Sequence, residues 1–182
     1  LNKILGEKLT SKFEKFRREF SIEKYVEKLK KNDVKFLLLT DEQYPKLLKQ
    51  IKNPPFVLYV RGSTEIFRGV HTESVERAQN NITRIIAVVG TRKITNYGRD
   101  VTRMLVGELV NVGFTIVSGL ALGVDSCAHE AAIEFGSPRL GEAGGKTIAV
   151  LGSGVDLCYP ATNKGLYTDI INGGGCVVSE FP

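Results

Sequence analysis

From residue 85 onward the chain repeats one pattern four times: an apolar, β-branched run closing on glycine, serine or glutamate, with a helix-period segment between successive runs. The runs are residues 85–90, 114–119, 147–152 and 176–180. Strands without apolar/polar alternation are buried on both faces, and strands separated by helices run parallel. With right-handed crossovers, the pattern predicts a Rossmann-like α/β fold, an open, mostly parallel sheet with helices on both faces. Val101, Leu105, Leu109 and Val112 mark the first crossover helix, ended by Gly113, and the others are expected over 124–135 and 166–171.

Upstream the rhythm differs. Ile4, Leu5, Leu9, Phe13, Phe16 and Phe20 recur at helical spacing, and Ser21 is placed to cap a second segment carrying Ile22, Tyr25, Val26 and Leu29. Residues 1–32 therefore read as a helical N-terminal segment. Residues 33–67 read as an extended approach segment, strand–turn–strand, with strands at 34–39 and 56–60 around a helical turn near 44–51. Residues 68–84 are polar and aperiodic, which predicts a loop or linker before the Rossmann-like domain at 85–182. The chain starts at Leu1 and stops at Pro182 directly after an apolar run. Both ends suggest a piece of a longer protein, with the sheet incomplete on its C-terminal side.

The formal net charge is +5 and the pI about 9.1. Its distribution matters more than its sum. Residues 1–53 hold 14 Lys+Arg against 8 Asp+Glu, whereas residues 54–182 hold 11 against 12. The excess lies in the helical segment, so bulk charge does not locate a nucleic-acid site. Cys127, Cys158 and Cys176 are odd in number and form no CxxC pair, which fits reduced, buried thiols in a cytoplasmic protein rather than a metal or disulfide framework. No apolar stretch reaches the roughly 20 residues needed to cross a bilayer, and no membrane association is expected.

In a parallel sheet all strand C-termini lie on one edge, where ligands bind. Here those ends read Gly90-Thr91-Arg92-Lys93, Ser118-Gly119-Leu120-Ala121-Leu122-Gly123, Gly152-Ser153-Gly154 and Ser179-Glu180. Glycine lets backbone N–H groups approach a ligand, and a following helix N-terminus favours anions, so the edge suits phosphate. Arg92 is the leading candidate because a guanidinium makes paired hydrogen bonds to phosphate; the alternative is a structural ion pair with Asp125 or Glu180. Ser118 and Ser153 are candidate hydroxyl donors. Asp125 and His129 share a helix face four residues apart, and the favoured reading makes Asp125 a helix N-cap and His129 a packing residue rather than a base and its orienter. No nucleophile stands at a recognisable motif spacing, no GxGxxG follows a strand, and no GxxxxGK[ST] loop is present, so NAD and nucleoside triphosphates are disfavoured and no cofactor is expected.

Taken in order, Val88-Val89-Gly90-Thr91-Arg92, Tyr97-Gly98, residues 118–125, Ala128-His129, residues 145–156, Tyr159-Pro160, Asn163 and Ser179-Glu180-Phe181-Pro182 resemble the DprA/Smf family of DNA-processing proteins. Upstream, residues 41–45 and 54–59 with Arg61-Gly62 are similar to that family's approach to its Rossmann-like domain. The resemblance implies a non-enzymatic protein that binds single-stranded DNA with little sequence preference and loads RecA recombinase onto it during natural transformation. It implies a homodimer for the full-length protein, a DNA contact at Arg92, and supporting roles for Asp125, His129, Tyr159, Asn163 and Glu180. The family continues past Ser-Glu-Phe-Pro, and residues 68–82 and 137–144 are longer than its usual connections.

The runner-up is a nucleotide-hydrolysing enzyme of the lysine-decarboxylase-like Rossmann group. Its Pro-Gly-Gly-x-Gly-Thr loop has no counterpart, since residues 172–176 read Asn-Gly-Gly-Gly-Cys before a strand. A third reading is a nucleotide sensor using the same edge.

Overall fold

A computed structural model describes residues 2–67, 84–136 and 146–182. The expected loops at 68–83 and 137–144 lie outside the described residues; Arg84, assigned to the first loop, instead opens a strand. Two compact units divide the chain, residues 1–33 and 34–182.

In the first unit, α1 (Asn2–Glu19) is interrupted at Gly6 and α2 (Ile22–Lys31) begins at Ser21. The Ser21 hydroxyl accepts the Lys24 N–H at 3.3 Å, which satisfies one of the unpaired donors at a helix start, as the sequence predicts. Phe16, Phe20 and Tyr25 form a ladder of tilted rings with centroids 5.1 and 5.5 Å apart.

In the second unit, β1 (Lys35–Leu38), β2 (Val57–Gly62), β3 (Arg84–Ala87), β4 (Phe114–Ser118), β5 (Thr147–Val150) and β6 (Cys176–Ser179) form one sheet in the order β1-β2-β6-β5-β4-β3. The four later strands pair in parallel, and β2 joins β6 antiparallel, with Val60 opposite Val178. The approach segment therefore extends the same sheet as the Rossmann-like strands.

The crossover helices are α4 (Asn96–Asn111), α5 (Val124–Phe135) and α6 (Lys164–Asn172); the short α3 (Lys46–Lys49) lies in the approach segment. Because β3, β4, β5 and β6 are laid down in sheet order, right-handed crossovers place all three long helices on one face. Two apolar clusters fill that face. Val106, Ile116, Ala128, Ala131 and Ala132 sit under α4 and α5, and Leu120, Ala149, Tyr167, Ile170 and Val177 sit under α6. The other face is covered near β2 and β6 by Tyr44, Leu48, Ile66 and Phe67, from α3, its flank and a 3-10 turn (Glu65–Phe67). Helices thus lie on both faces, long on one and short on the other.

Several local boundaries differ from the sequence reading. α4 starts five residues before Val101, because Thr95 accepts the Gly98 N–H at 3.1 Å and caps the helix. β3 ends at Ala87 rather than Gly90, although the Val88 N–H still donates to the Val117 carbonyl.

Candidate nucleic-acid interface

The C-terminal ends of β3, β4 and β5 converge on a cleft of about 420 Å³. Arg92 from the first end, Gly119, Ala121 and Leu122 from the second, and Leu151, Gly152 and Ser153 from the third line it, with Tyr159 and Pro160 closing one side. Of the residues singled out in the sequence, the cleft brings together Arg92, Gly119, Gly152, Ser153 and Tyr159. Gly90, Thr91, Lys93, Ser118, Gly154, Asp125, His129, Asn163 and Glu180 lie outside its lining. Ala121 and Leu122, read at the second strand end without a role of their own because an apolar residue in a glycine-rich turn gives no chemical signal by itself, also line the cleft.

Asp125 shapes this edge. The expectation that it caps its helix is corrected by the structure: Gly123 is the N-cap residue of α5, without a side-chain cap bond. The buried Asp125 carboxylate instead accepts the Gly119 N–H at 3.1 Å and the Gly90 N–H at 3.4 Å, tying two strand ends to the first turn of α5. A carboxylate is suited to this because it offers several lone pairs and favours the positive end of a helix dipole. Those two N–H groups are therefore committed to protein. A Cβ at position 119 would stand 2.8 Å from the Asp125 carboxylate, so only glycine leaves room for this close approach.

The helix start is also occupied. The Val124 N–H donates to the Thr91 carbonyl at 3.1 Å and the Ser126 N–H to the Ala121 carbonyl at 3.1 Å. An anion at this edge would accordingly meet side chains more than free backbone donors. The Ser118 hydroxyl is buried and donates to the Val88 carbonyl at 2.6 Å; the Ser153 hydroxyl donates to the Leu157 carbonyl at 3.1 Å. Arg92 is exposed, and among the described residues it forms no ion pair with Asp125, Glu180 or any other carboxylate. Lys93 and Thr91 are exposed beside it, with the Lys93 N–H donating to the Thr91 hydroxyl at 3.1 Å.

Asn163, at the head of α6, donates its side-chain amide to the Leu120 carbonyl at 2.9 Å. Leu120 holds a left-handed backbone, φ +56°, while its side chain is fully buried. A non-glycine residue there costs roughly 1–2 kcal/mol, offset here by the Asn163 bond and by burial of the leucine. The Gly152–Gly154 loop is stitched to the chain end: Ser179 donates its hydroxyl to the Ser153 carbonyl at 2.6 Å, and the Val155 N–H reaches the Phe181 carbonyl at 3.3 Å. Glu180 is exposed at that turn.

His129 does not pair with Asp125. Its Nδ1 lies 2.7 Å from the Thr147 hydroxyl, which itself donates to the Ile116 carbonyl at 2.8 Å, so the Nδ1–H form is the matching tautomer. Among the described residues its buried Nε2 has no hydrogen-bond partner. Burial pushes the imidazole down from 6.5 to about 4, against the opposing pull of Asp125 and of the Ser118 backbone. A neutral imidazole packed under the sheet serves the core rather than a proton transfer.

A family model described as DNA recombination-mediator protein A matches residues 35–182. The Smf protein of Synechocystis is 37% identical over 177 residues, covering 97% of this chain and 40% of that protein. The structure of DNA processing protein A from Streptococcus pneumoniae superposes with a TM-score of 0.63 at 31% identity, over 84% of this chain and 46% of the other. DNA processing protein A from Helicobacter pylori, whose structure is described in terms of a single-stranded DNA binding mode, gives 0.61 at 30% identity, over 81% and 55%. The chain thus spans about half or less of each of these relatives. The same arginine-bearing strand end, glycine turns and closing Ser-Glu-Phe-Pro that suggested a resemblance are here assembled on one sheet edge, and with a family match running over most of its length the chain belongs to the DprA/Smf family.

Proposed function

We propose that this chain holds single-stranded DNA along the carboxyl edge of its parallel sheet, with Arg92 as a phosphate contact, and performs no chemistry on it. The carrying observation is that Arg92 is exposed and, among the described residues, without an ion pair, in a cleft built from three strand ends. An arginine kept out of local ion pairs at a ligand-binding edge is suited to an external anion. Membership of a family whose Helicobacter pylori member is described as binding single-stranded DNA supports the same reading. Neutral His129, buried away from the cleft, supplies no general base to it. Handing the strand to RecA during transformation, acting in the cytoplasm and pairing as a homodimer in the full-length protein belong to the same proposal.

The test is fluorescence anisotropy of labelled oligo-dT across a salt series. Arg92→Ala is expected to weaken binding to all sequences alike and to reduce the slope of log affinity against log salt by about one. Unchanged affinity and slope would remove Arg92 from the site. Release of free base from nucleoside monophosphates would favour the enzyme reading instead, and thermal stabilisation by a mononucleotide without oligo-dT binding would favour the sensor.

A further inference from the structure

We propose that Arg61 and Tyr167 are positioning residues: a relay of hydrogen bonds from β2 through the first turn of α6 sets the loop that follows β5. The relay thereby fixes one wall of the cleft, and its role rests on the single-stranded DNA reading above. Arg61 stands on β2 opposite Val177 of β6, and its Nη1 donates to the Tyr167 hydroxyl at 3.1 Å. The Tyr167 hydroxyl in turn donates to the Val155 carbonyl at 2.5 Å. Val155 is fully buried and lies between two stretches that contribute to the cleft lining, 151–153 and 159–160. A strand of the approach segment is thus joined to the cleft by residues that do not themselves line it.

The direction of the relay follows from its chemistry. Burial raises the Tyr167 hydroxyl above its ordinary value of 10, against the opposing pull of Arg61, so the group is a protonated donor at neutral pH. A phenol has one proton, spent here on Val155, while its oxygen accepts from a cation. The two bonds polarise one another, so the charged donor strengthens the bond to Val155. Among the described residues Arg61 forms no ion pair with a carboxylate, and its guanidinium carbon also lies 5.7 Å from the Tyr167 ring centroid. Both of these contacts fall on one side chain. Within the loop, the Leu157 N–H donates to the Gly154 carbonyl at 3.0 Å and the Ser153 hydroxyl to the Leu157 carbonyl, bonds that close the loop on itself. Ser179 and the Phe181 carbonyl tie it to the segment after β6, and the relay ties it to β2. A wall fixed before any ligand arrives lowers the ordering cost of binding.

The test pairs amide hydrogen exchange with oligo-dT anisotropy on the full chain, well below its melting temperature. Tyr167→Phe removes the relay and keeps the ring. It is expected to lower protection of the Val155 and Leu157 amides about 2- to 12-fold, the range for one hydrogen bond, with protection in β4 unchanged. Oligo-dT affinity should fall by a factor in the same range, with the salt slope unchanged because the relay holds no phosphate. Arg61→Met should weaken binding by itself and add nothing in the Tyr167→Phe background, the non-additivity of two residues that act through one bond. Unchanged protection at Val155 and Leu157, or a salt slope lowered by Arg61→Met, would overturn the relay. Faster exchange there with full oligo-dT affinity, while Arg92→Ala still weakens binding, would leave a purely structural bond and overturn the positioning role alone. No oligo-dT binding by the unsubstituted chain, or no effect of Arg92→Ala, would defeat the DNA reading and the positioning role with it, while the exchange data still report whether the relay holds the loop.

Discussion

His129 is fully buried, keeps one ring nitrogen on the Thr147 hydroxyl and has no partner for the other among the described residues. Its imidazole titrates at about 4 in the folded chain and at 6.5 when exposed, so unfolding takes up a proton between those values. The depressed value means that the contribution is complete above pH 6.5 and is lost as pH falls toward 4, amounting to about 3 kcal/mol. His129→Leu is expected to flatten the stability profile between pH 6.5 and 4 in urea titrations; an unchanged acid slope would show that other groups carry it. The sequence places His129 among alanines on a helix and so predicts a packing residue, but it gives no view of Thr147, eighteen residues away. Asp125 teaches the same lesson. Position near a helix start suggested a cap, while its partners, the N–H groups of Gly90 and Gly119, were set by where β3 and β4 end in space.

At the scale of elements, the Gly90–Arg92 turn is anchored on the start of α5. Gly123 holds φ +87°, and a Cβ there would overlap the Thr91 carbonyl oxygen, which accepts the Val124 N–H. Gly123→Ala is expected to cost about 1–3 kcal/mol from backbone conformation alone, with the displaced turn adding to that. Oligo-dT binding should fall together with the urea midpoint. Wild-type values in both measurements would mean that the turn is not held by α5. Glycine at this position is legible in the sequence as a turn signal. The carbonyl that excludes a side chain is not, because Thr91 is brought there by a different strand.

Across residues 34–182 the approach segment and the Rossmann-like strands share one sheet and one side of the core. Leu58 on β2 is 5% exposed and packs in the cluster that contains Ile148 of β5 and Cys176 and Val178 of β6. Leu58→Ala is expected to destabilise by about 2–5 kcal/mol. If the sheet unfolds as one unit, hydrogen-exchange protection in β5 and β6 should fall by that same free energy. Loss confined to β1 and β2 would mark the approach segment as a separate folding unit. The sequence alone determined the kinds of element, the parallel order of the four later strands, the cap at Ser21, the stop at Gly113, and the edge on which the candidate site residues lie. These follow from periodicity and backbone preference, which act over a few residues. Only the tertiary structure decided that β2 seats antiparallel against β6, that all three long helices lie on one face, that Asp125 ties two strand ends together, and that Arg92 forms no ion pair among the described residues. Each of these depends on which distant groups meet when apolar faces are buried, and a run of neighbouring residues does not encode its partners across the sheet.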